Sequence, residues 1–254
     1  MIRKIFFLPL VLMLAGNTLN AQINNHGDYI EKLQELRTIS QKLGIYYIMN
    51  ELYRTNENFE KKKNENIERF TNLIVELTEN APDEELQIEL NKLNLTWLYV
   101  NKLLNKPYER ALAGKILDKL EEMQQEIYKI IDKYMHFTKE KQAQMVQKAA
   151  DTRVQIQRML LYYLAKRANV LNPEIPRRFK ESKNLFKQEL AELERSEYND
   201  ESTMMILDMI KNQFRTLRNL ELNTKINPLT AVMIAERMDE DLKMLVKTYR
   251  LSLR

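Results

Sequence analysis

The sequence predicts an all-α protein built as two tandem four-helix up-down bundles. The first observation behind this is scarcity: 254 residues contain only four glycines and six prolines, too few turn formers for a sheet protein. The second is that the intervening runs are rich in Leu, Met, Lys, Glu and Gln, which lose little rotamer freedom in a helix. The third is a twelve-residue phrase that occurs twice, 116 positions apart, as Arg37-Thr-Ile-Ser-Gln41-Lys42-Leu-Gly-Ile-Tyr46-Tyr47-Ile48 and Arg153-Val-Gln-Ile-Gln157-Arg158-Met-Leu-Leu-Tyr162-Tyr163-Leu164. A basic residue, a glutamine four further on, a second basic residue and a Tyr-Tyr pair return in register, which marks a tandem duplication.

Residues 1–21 read as a signal peptide, with a retained uncleaved anchor as the alternative. Arg3 and Lys4 form a basic start, Ile5 to Ala15 an apolar core, and Asn20-Ala21 before Gln22 a cleavage site. An exported protein, periplasmic or secreted, is the expectation, with no membrane span in the mature chain, since a bilayer needs about 20 apolar residues. The chain has no cysteine, which leaves neither a disulfide framework nor a lipid anchor on a thiol. Loss of Arg3 and Lys4 would take the formal charge from +4 to +2. The basic runs Lys61-Lys62-Lys63 and Arg177-Arg178 therefore read as solvated helix faces, and no nucleic-acid partner is expected.

Within the first repeat (22–137), Asp28 with Glu31 fits a capping box for a helix to about Arg54, with Leu33, Leu36, Ile39, Leu43 and Tyr46 at helical spacing. Asn56 or Asn58 starts a second helix through Phe70, Ile74 and Leu77. The Pro82 turn leads to a third carrying Leu86, Leu90, Leu93, Trp97, Val100 and Leu104, and Pro107 suits the first turn of a fourth. From Glu109 to about Asn169 there is no proline. The economical reading is one long helix shared by both bundles; a break near residues 136 to 141 is the alternative. In the second repeat (138–254), Asn172 to Pro176 reads as a loop, followed by helices over Phe179 to Leu193, Met204 to Leu222, and from Asn227-Pro228 onward. Phe70, Ile74 and Leu77 match Phe186, Leu190 and Leu193; Trp97 matches Phe214; Met123, Ile127, Ile131 and Tyr134 match Met238, Leu242, Val246 and Tyr249.

The phrase at Arg153 to Leu164 resembles the opening signature of the PilJ-type domain, the sensory module of type IV pilus methyl-accepting chemotaxis transducers. It is also similar to the P-box that opens the periplasmic domain of nitrate/nitrite sensor kinases. Arg37 to Ile48 resembles a second copy. The likeness extends through Phe70 to Leu77, Trp97 and Ile127 to Tyr134. Three departures stand out: the family's arginine-rich opening is thinned to Arg37 and Arg153, Lys42 stands where the other copy has Arg158, and Ile156 where the first keeps Ser40. The resemblance implies a small-anion sensor in which two P-box arginines clasp the ligand across a dimer. By position these are Arg37 and Arg153, with Gln41, Lys42, Tyr47, Gln157, Arg158 and Tyr163 as further ligand-binding candidates.

Guanidinium donors suit a planar oxyanion, and a glutamine one turn on shares the arginine's face. The plainer alternative has both arginines at the edge of the apolar stripe, covering it with their methylene stems and holding glutamates at bundle interfaces. Helix neighbours diverge by about 100°, so one residue of each Tyr pair could line a groove while the other enters the core; core packing is the plainer expectation for all four. Geometry bears on the clasp: a straight helix over 109–169 would hold Arg37 and Arg153 about 35 Å apart at 1.5 Å per residue. A shared site within one chain then needs the break; otherwise homodimerisation supplies the second arginine.

Catalytic readings lack parts. With only His26 and His136 and no cysteine, the sequence offers no nucleophile triad, ordinary zinc site or di-iron bundle motif. Asp132, His136 and Glu140 share a face and read as salt-bridging. No metal, cofactor or catalytic residue is predicted. Three function classes remain: a stand-alone sensory module passing its signal to a partner protein, a helical scaffold or protein-interaction module, and, well behind these, an unrecognised hydrolase.

Overall fold

A computed structural model describes residues 26–135, 141–217 and 226–251. The predicted signal peptide, His136 with Glu140, and the end of the expected seventh helix lie outside the described residues. Within them the regular elements are helices: α1 (His26–Leu52), α2 (Glu57–Glu79), α3 (Glu84–Leu104), α4 (Arg110–Met135), α5 (Lys141–Arg167), α6 (Ile175–Glu194), α7 (Glu201–Leu217) and α8 (Pro228–Leu251). The protein is all-α, and no described helix is long and apolar enough to cross a membrane.

Side chains that satisfy open backbone N–H groups set four of the eight described starts. Asn56 accepts from Asn58 N (3.1 Å) ahead of α2, Asp83 from Leu86 N (2.8 Å) ahead of α3, and Asn227 from Leu229 N (2.8 Å) ahead of α8. At α7 the bonds are reciprocal, Asp200 accepting from Thr203 N and Thr203 Oγ1 accepting from Asp200 N. Three expected boundaries move. α1 begins at His26, so Asp28 lies inside the first turn, and Asp28 and Glu31 both accept from Arg250. Pro107 precedes α4 altogether, and its carbonyl accepts from the Tyr47 hydroxyl. α6 starts at Ile175 with Pro176 in its first turn, taking up residues expected to be loop.

The helices pack in two sets whose neighbours repeat: α1 with α2 and α4, α3 with α2 and α4; then α5 with α6 and α8, α7 with α6 and α8. Residues matched by the sequence repeat make matching contacts. Phe70 lies against Trp97 (ring centroids 4.3 Å) and Phe186 against Phe214 (4.5 Å). Lys32 pairs with Glu76, and Lys148, 116 positions on, with Glu192. Tyr29 near the start of α1 stacks on Tyr134 near the end of α4, while Tyr47 near the end of α1 tilts against Tyr108 just before α4, so those two helices run antiparallel.

The single rod over 109–169 is overturned. α4 ends at Met135, α5 begins at Lys141, and α1 packs along α5 as well as along α4. Arg37 bonds Asp151 and Gly44 lies beside Leu161, so α1 and α5 run parallel and in register. A rod would have put these groups tens of ångströms apart. The halves stand side by side with the two repeated phrases between them. Both helices are buried on most sides there: residues 36–41 and 152–157 are buried without interruption, charged and polar ones included. Gly44 permits the approach; a Cβ there would lie 2.9 Å from Leu120 Cδ1 and from Leu161 Cδ1.

A second strap joins the halves beyond α5. Asn169 takes the left-handed conformation (φ 53°), with Val170 N bonded to Ala165 O (2.9 Å) and Asn169 N to Lys166 O (3.2 Å), a Schellman closure of the helix. The chain then lies on the first turns of α4. Leu171 N donates to Arg110 O (3.2 Å), and Asn172 Nδ2 donates to Asp118 (2.9 Å).

Candidate functional site

The phrase residues fall into two related networks at the junction of the halves. Asp239 on α8 is about 1% exposed and is clamped by both copies. Arg153 of the second copy gives it Nε at 3.0 Å and a terminal nitrogen at 3.3 Å, and Lys42 of the first copy gives Nζ at 2.7 Å. Burial alone would raise this carboxyl; the two cations reverse that and hold it below the ordinary carboxylate range. In the first half, Arg37 donates Nε to Gln124 of α4 (3.2 Å) and a terminal nitrogen to Gln34 (2.9 Å) and to Asp151 of α5. Gln124 in turn donates to the Arg37 carbonyl and to Ser40 Oγ.

The shared clasp of Arg37 and Arg153 is thus not how the side chains fall. Arg153 turns to α8, while Arg37 turns to α4 and α5. What does meet is Arg37 of the first phrase and Arg158 of the second, which line one groove between α1, α4 and α5 together with Glu121, Gln124, Gln125, Tyr128 and Lys129, with a volume of about 280 Å³. The Tyr128 ring is half exposed and stands 5.2 Å from the Arg37 guanidinium. Arg158 bonds Glu121 (2.6 Å) and Gln155 (3.4 Å), and its Nε is buried with no hydrogen-bond partner. Burial works against its charge, but Glu121 and Tyr162 outweigh it and raise its pKa. Gln41 and Gln157 are each about 1% exposed; both amide atoms of Gln41 and Nε2 of Gln157 have no partner.

All four tyrosines of the phrases are buried, as core packing expects, although Tyr46 and Tyr47 each also border a groove. Their hydroxyls account for it, since each reaches a fixed acceptor at the edge of the packed layer. Tyr46 donates to Glu236 (2.9 Å) and Tyr162 to Glu121 (2.8 Å), both across the halves, while Tyr47 reaches Pro107 O and Tyr163 reaches Ile226 O. Burial, then the facing carboxylate, pushes Tyr46 and Tyr162 well above the usual phenol range; burial pushes Tyr47 up to about 12. Tyr47 borders a separate groove with Asn50, Glu60 and Pro107. Tyr163 is fully enclosed and anchors α5 to the start of α8.

Gln124, Asp239, Glu121, Asp151 and Tyr128 were not singled out from the sequence. One signal was at hand: once Met123 is matched to Met238, the next residues, Gln124 and Asp239, are counterparts. The others are acceptors and neighbours that only the packing chooses.

A polar groove of about 380 Å³ between α5 and α6 is lined by Lys148, Asp151, Gln188, Glu189 and Glu192. Burial, with Asp151 close by and Arg37 opposing, lifts the Glu189 carboxyl to about 8. A raised carboxyl stabilises the fold fully below its unfolded pKa near 4.5 and ceases to as pH passes about 8. Melting temperature should therefore fall between pH 5 and pH 8.5, and Glu189→Gln should flatten that fall, leaving the variant about 1–2 kcal/mol more stable than the parent at the alkaline end. Parallel pH–melting curves for the two chains check it.

Compared with protein-family models, with curated proteins and with solved structures, the chain matches none.

Proposed function

We propose that this chain is an exported, non-catalytic ligand-binding module of the sensory type, and that its ligand is a small planar oxyanion held in the groove between α1, α4 and α5. The observation that carries the reading is the meeting of Arg37 and Arg158, one from each copy of the repeated phrase, on the wall of a single open groove. Guanidinium groups present donors in a fixed plane that matches carboxylate or nitrate, and both arginines border the groove while holding Asp151 and Glu121, carboxylates of the kind such donors select. The likeness of both phrases to the PilJ-type and P-box openings supports the same ligand class, with the two halves of one chain taking the place of two subunits. The signal would pass to a separate partner protein.

In thermal-shift measurements, nitrate, nitrite, formate or acetate at about ten times Kd should raise the melting temperature by about 3–5 °C over an equal ionic strength of chloride. Arg158→Gln should remove most of that rise. No selective shift, or one that Arg158→Gln leaves intact, rejects the reading.

A second reading rests on a different surface. Ile88, Leu95, Leu98 and Tyr99 stand exposed on the outer side of α3, at spacings that form one helical stripe. Such a stripe suits a helical interaction or scaffold module. Leu95→Asp with Leu98→Asp should then abolish association with a partner while leaving the helical circular dichroism unchanged.

A further inference from the structure

The apolar stripe on the outer side of α3 is not something the bundle requires. α3 packs on α2 and α4 through its buried side, and the halves meet through α1 and α5. In the second half α7 holds the same place, its Phe214 making the ring contact that Trp97 makes in the first. At the positions that match Leu95, Leu98 and Tyr99, α7 carries Asn212, Arg215 and Thr216, all exposed. Two helices matched by the repeat thus meet the same packing demand, one with a polar outer side and one with an apolar one. Leu95 is 68% exposed and Leu98 56%. Apolar surface of this kind gains free energy only when something covers it.

The charges along the stripe point to its occupant. α3 opens on Glu84 and Glu85 and closes on Lys102, with Lys106 just beyond. Lys115 and Lys119 of α4 add to the basic end around Tyr99. At the acidic end Lys133 of α4 holds Glu85 and Glu89, while Glu84 stands exposed. At 3.6 residues per turn, Glu84, Ile88, Leu95, Tyr99 and Lys102 fall within about 60° of arc, with Leu98 at the flank. A face that runs acidic, apolar, basic is its own complement when reversed. An antiparallel second α3 sets Glu84 against Lys102 at both ends and Ile88 against Leu98 and Tyr99, with the helix dipoles opposed. A parallel one would set acid on acid and base on base. Lys92 also lies on this side; its ammonium is drawn to Glu89 (3.2 Å), which leaves its methylene stem on the stripe.

We infer that the outer side of α3 is a self-association surface, and that its occupant is α3 of a second copy of this chain, antiparallel about a twofold axis near Leu95. This rests on the second reading above, in which the stripe serves association, and adds to it the partner and its direction. α3 has 21 residues and is therefore about 30 Å long. A single pair of such helices buries less than the ~1,200 Å² of a standard interface, so the dimer should be reversible, with a Kd of about 10–100 μM.

The test is sedimentation equilibrium of the full chain at low ionic strength, over concentrations that span this Kd. Wild type should follow a monomer–dimer equilibrium. Leu95→Asp with Leu98→Asp should weaken the dimer by about tenfold or more at an unchanged melting temperature, since both side chains are exposed. Glu84→Lys and Lys102→Glu should each weaken it by about threefold or more, because each sets like charges together at both ends. The two reversals in one chain should restore the wild-type affinity, which only an antiparallel self-pairing provides. A chain that stays monomeric, or a dimer that the aspartates leave intact, overturns the inference alone; the second reading falls only if the same aspartates also leave association with a different protein unchanged. A dimer that the aspartates weaken but the paired reversals do not restore overturns the antiparallel arrangement.

Discussion

Asp239→Ala should be among the most damaging single substitutions, costing about 3–5 kcal/mol of folding stability. The carboxylate is buried at the junction of the halves and accepts from Arg153 and Lys42, which come from different copies of the phrase. Truncation leaves both cations facing each other without their shared counter-ion, where water reaches them poorly. Much of the cost is that uncompensated charge, so a double variant that also replaces Arg153 with Met should recover part of the loss. Gln124→Ala, at the counterpart position, removes hydrogen bonds but strands no charge, and about 1–2 kcal/mol is expected. Urea unfolding of the four chains gives the comparison. The acid limb carries the same information. The Asp239 carboxyl is held below its ordinary value, so its contribution is present above about pH 4 and is lost as pH falls through its folded pKa. Asp239→Asn should flatten the acid-side decline in melting temperature.

Gly114→Ala should also destabilise, by about 2–3 kcal/mol, against the sign that helix propensity gives. In an exposed helix interior alanine gains about 1 kcal/mol over glycine. Here the added Cβ would lie 2.3 Å from the backbone carbonyl oxygen of Leu171. That oxygen belongs to the strap that crosses from α5 onto α4, fixed by Leu171 N to Arg110 O and by Asn172 to Asp118. The strap must lift, and those bonds lengthen together. Gly44→Ala is the control. Its Cβ meets Leu120 and Leu161 methyl groups rather than main chain, and methyl groups can turn aside, so a smaller loss is expected. Equal losses at the two glycines would show that the strap is not what requires Gly114.

The helices themselves were legible because their signals are local. Asn56 caps α2 and Asn227 precedes α8 as composition and spacing suggest. Leu86, Leu90, Leu93, Trp97, Val100 and Leu104 form the buried side of α3 as their periodicity requires. The matched pair Trp97 and Phe214 makes the same ring contact twice. At α1 the helix begins ahead of Asp28, which accepts from Arg250 at the far end of the chain.

The sequence by itself determined that this is an all-helical chain with an internal repeat, because helix periodicity and a fixed offset need no knowledge of distant contacts. It also contained an unread hint about placement: Leu43 to Met49 and Met159 to Ala165 carry no charge on any side, which suits helices buried all round. Only the tertiary structure decided that α1 lies along α5, since an unbroken helical pattern looks the same whether the chain continues straight or folds back. The choice of partners was decided there too. Arg37 and Arg153 look equivalent in sequence, but which helix crosses each decides whether its Nε meets the Gln124 amide or the Asp239 carboxylate.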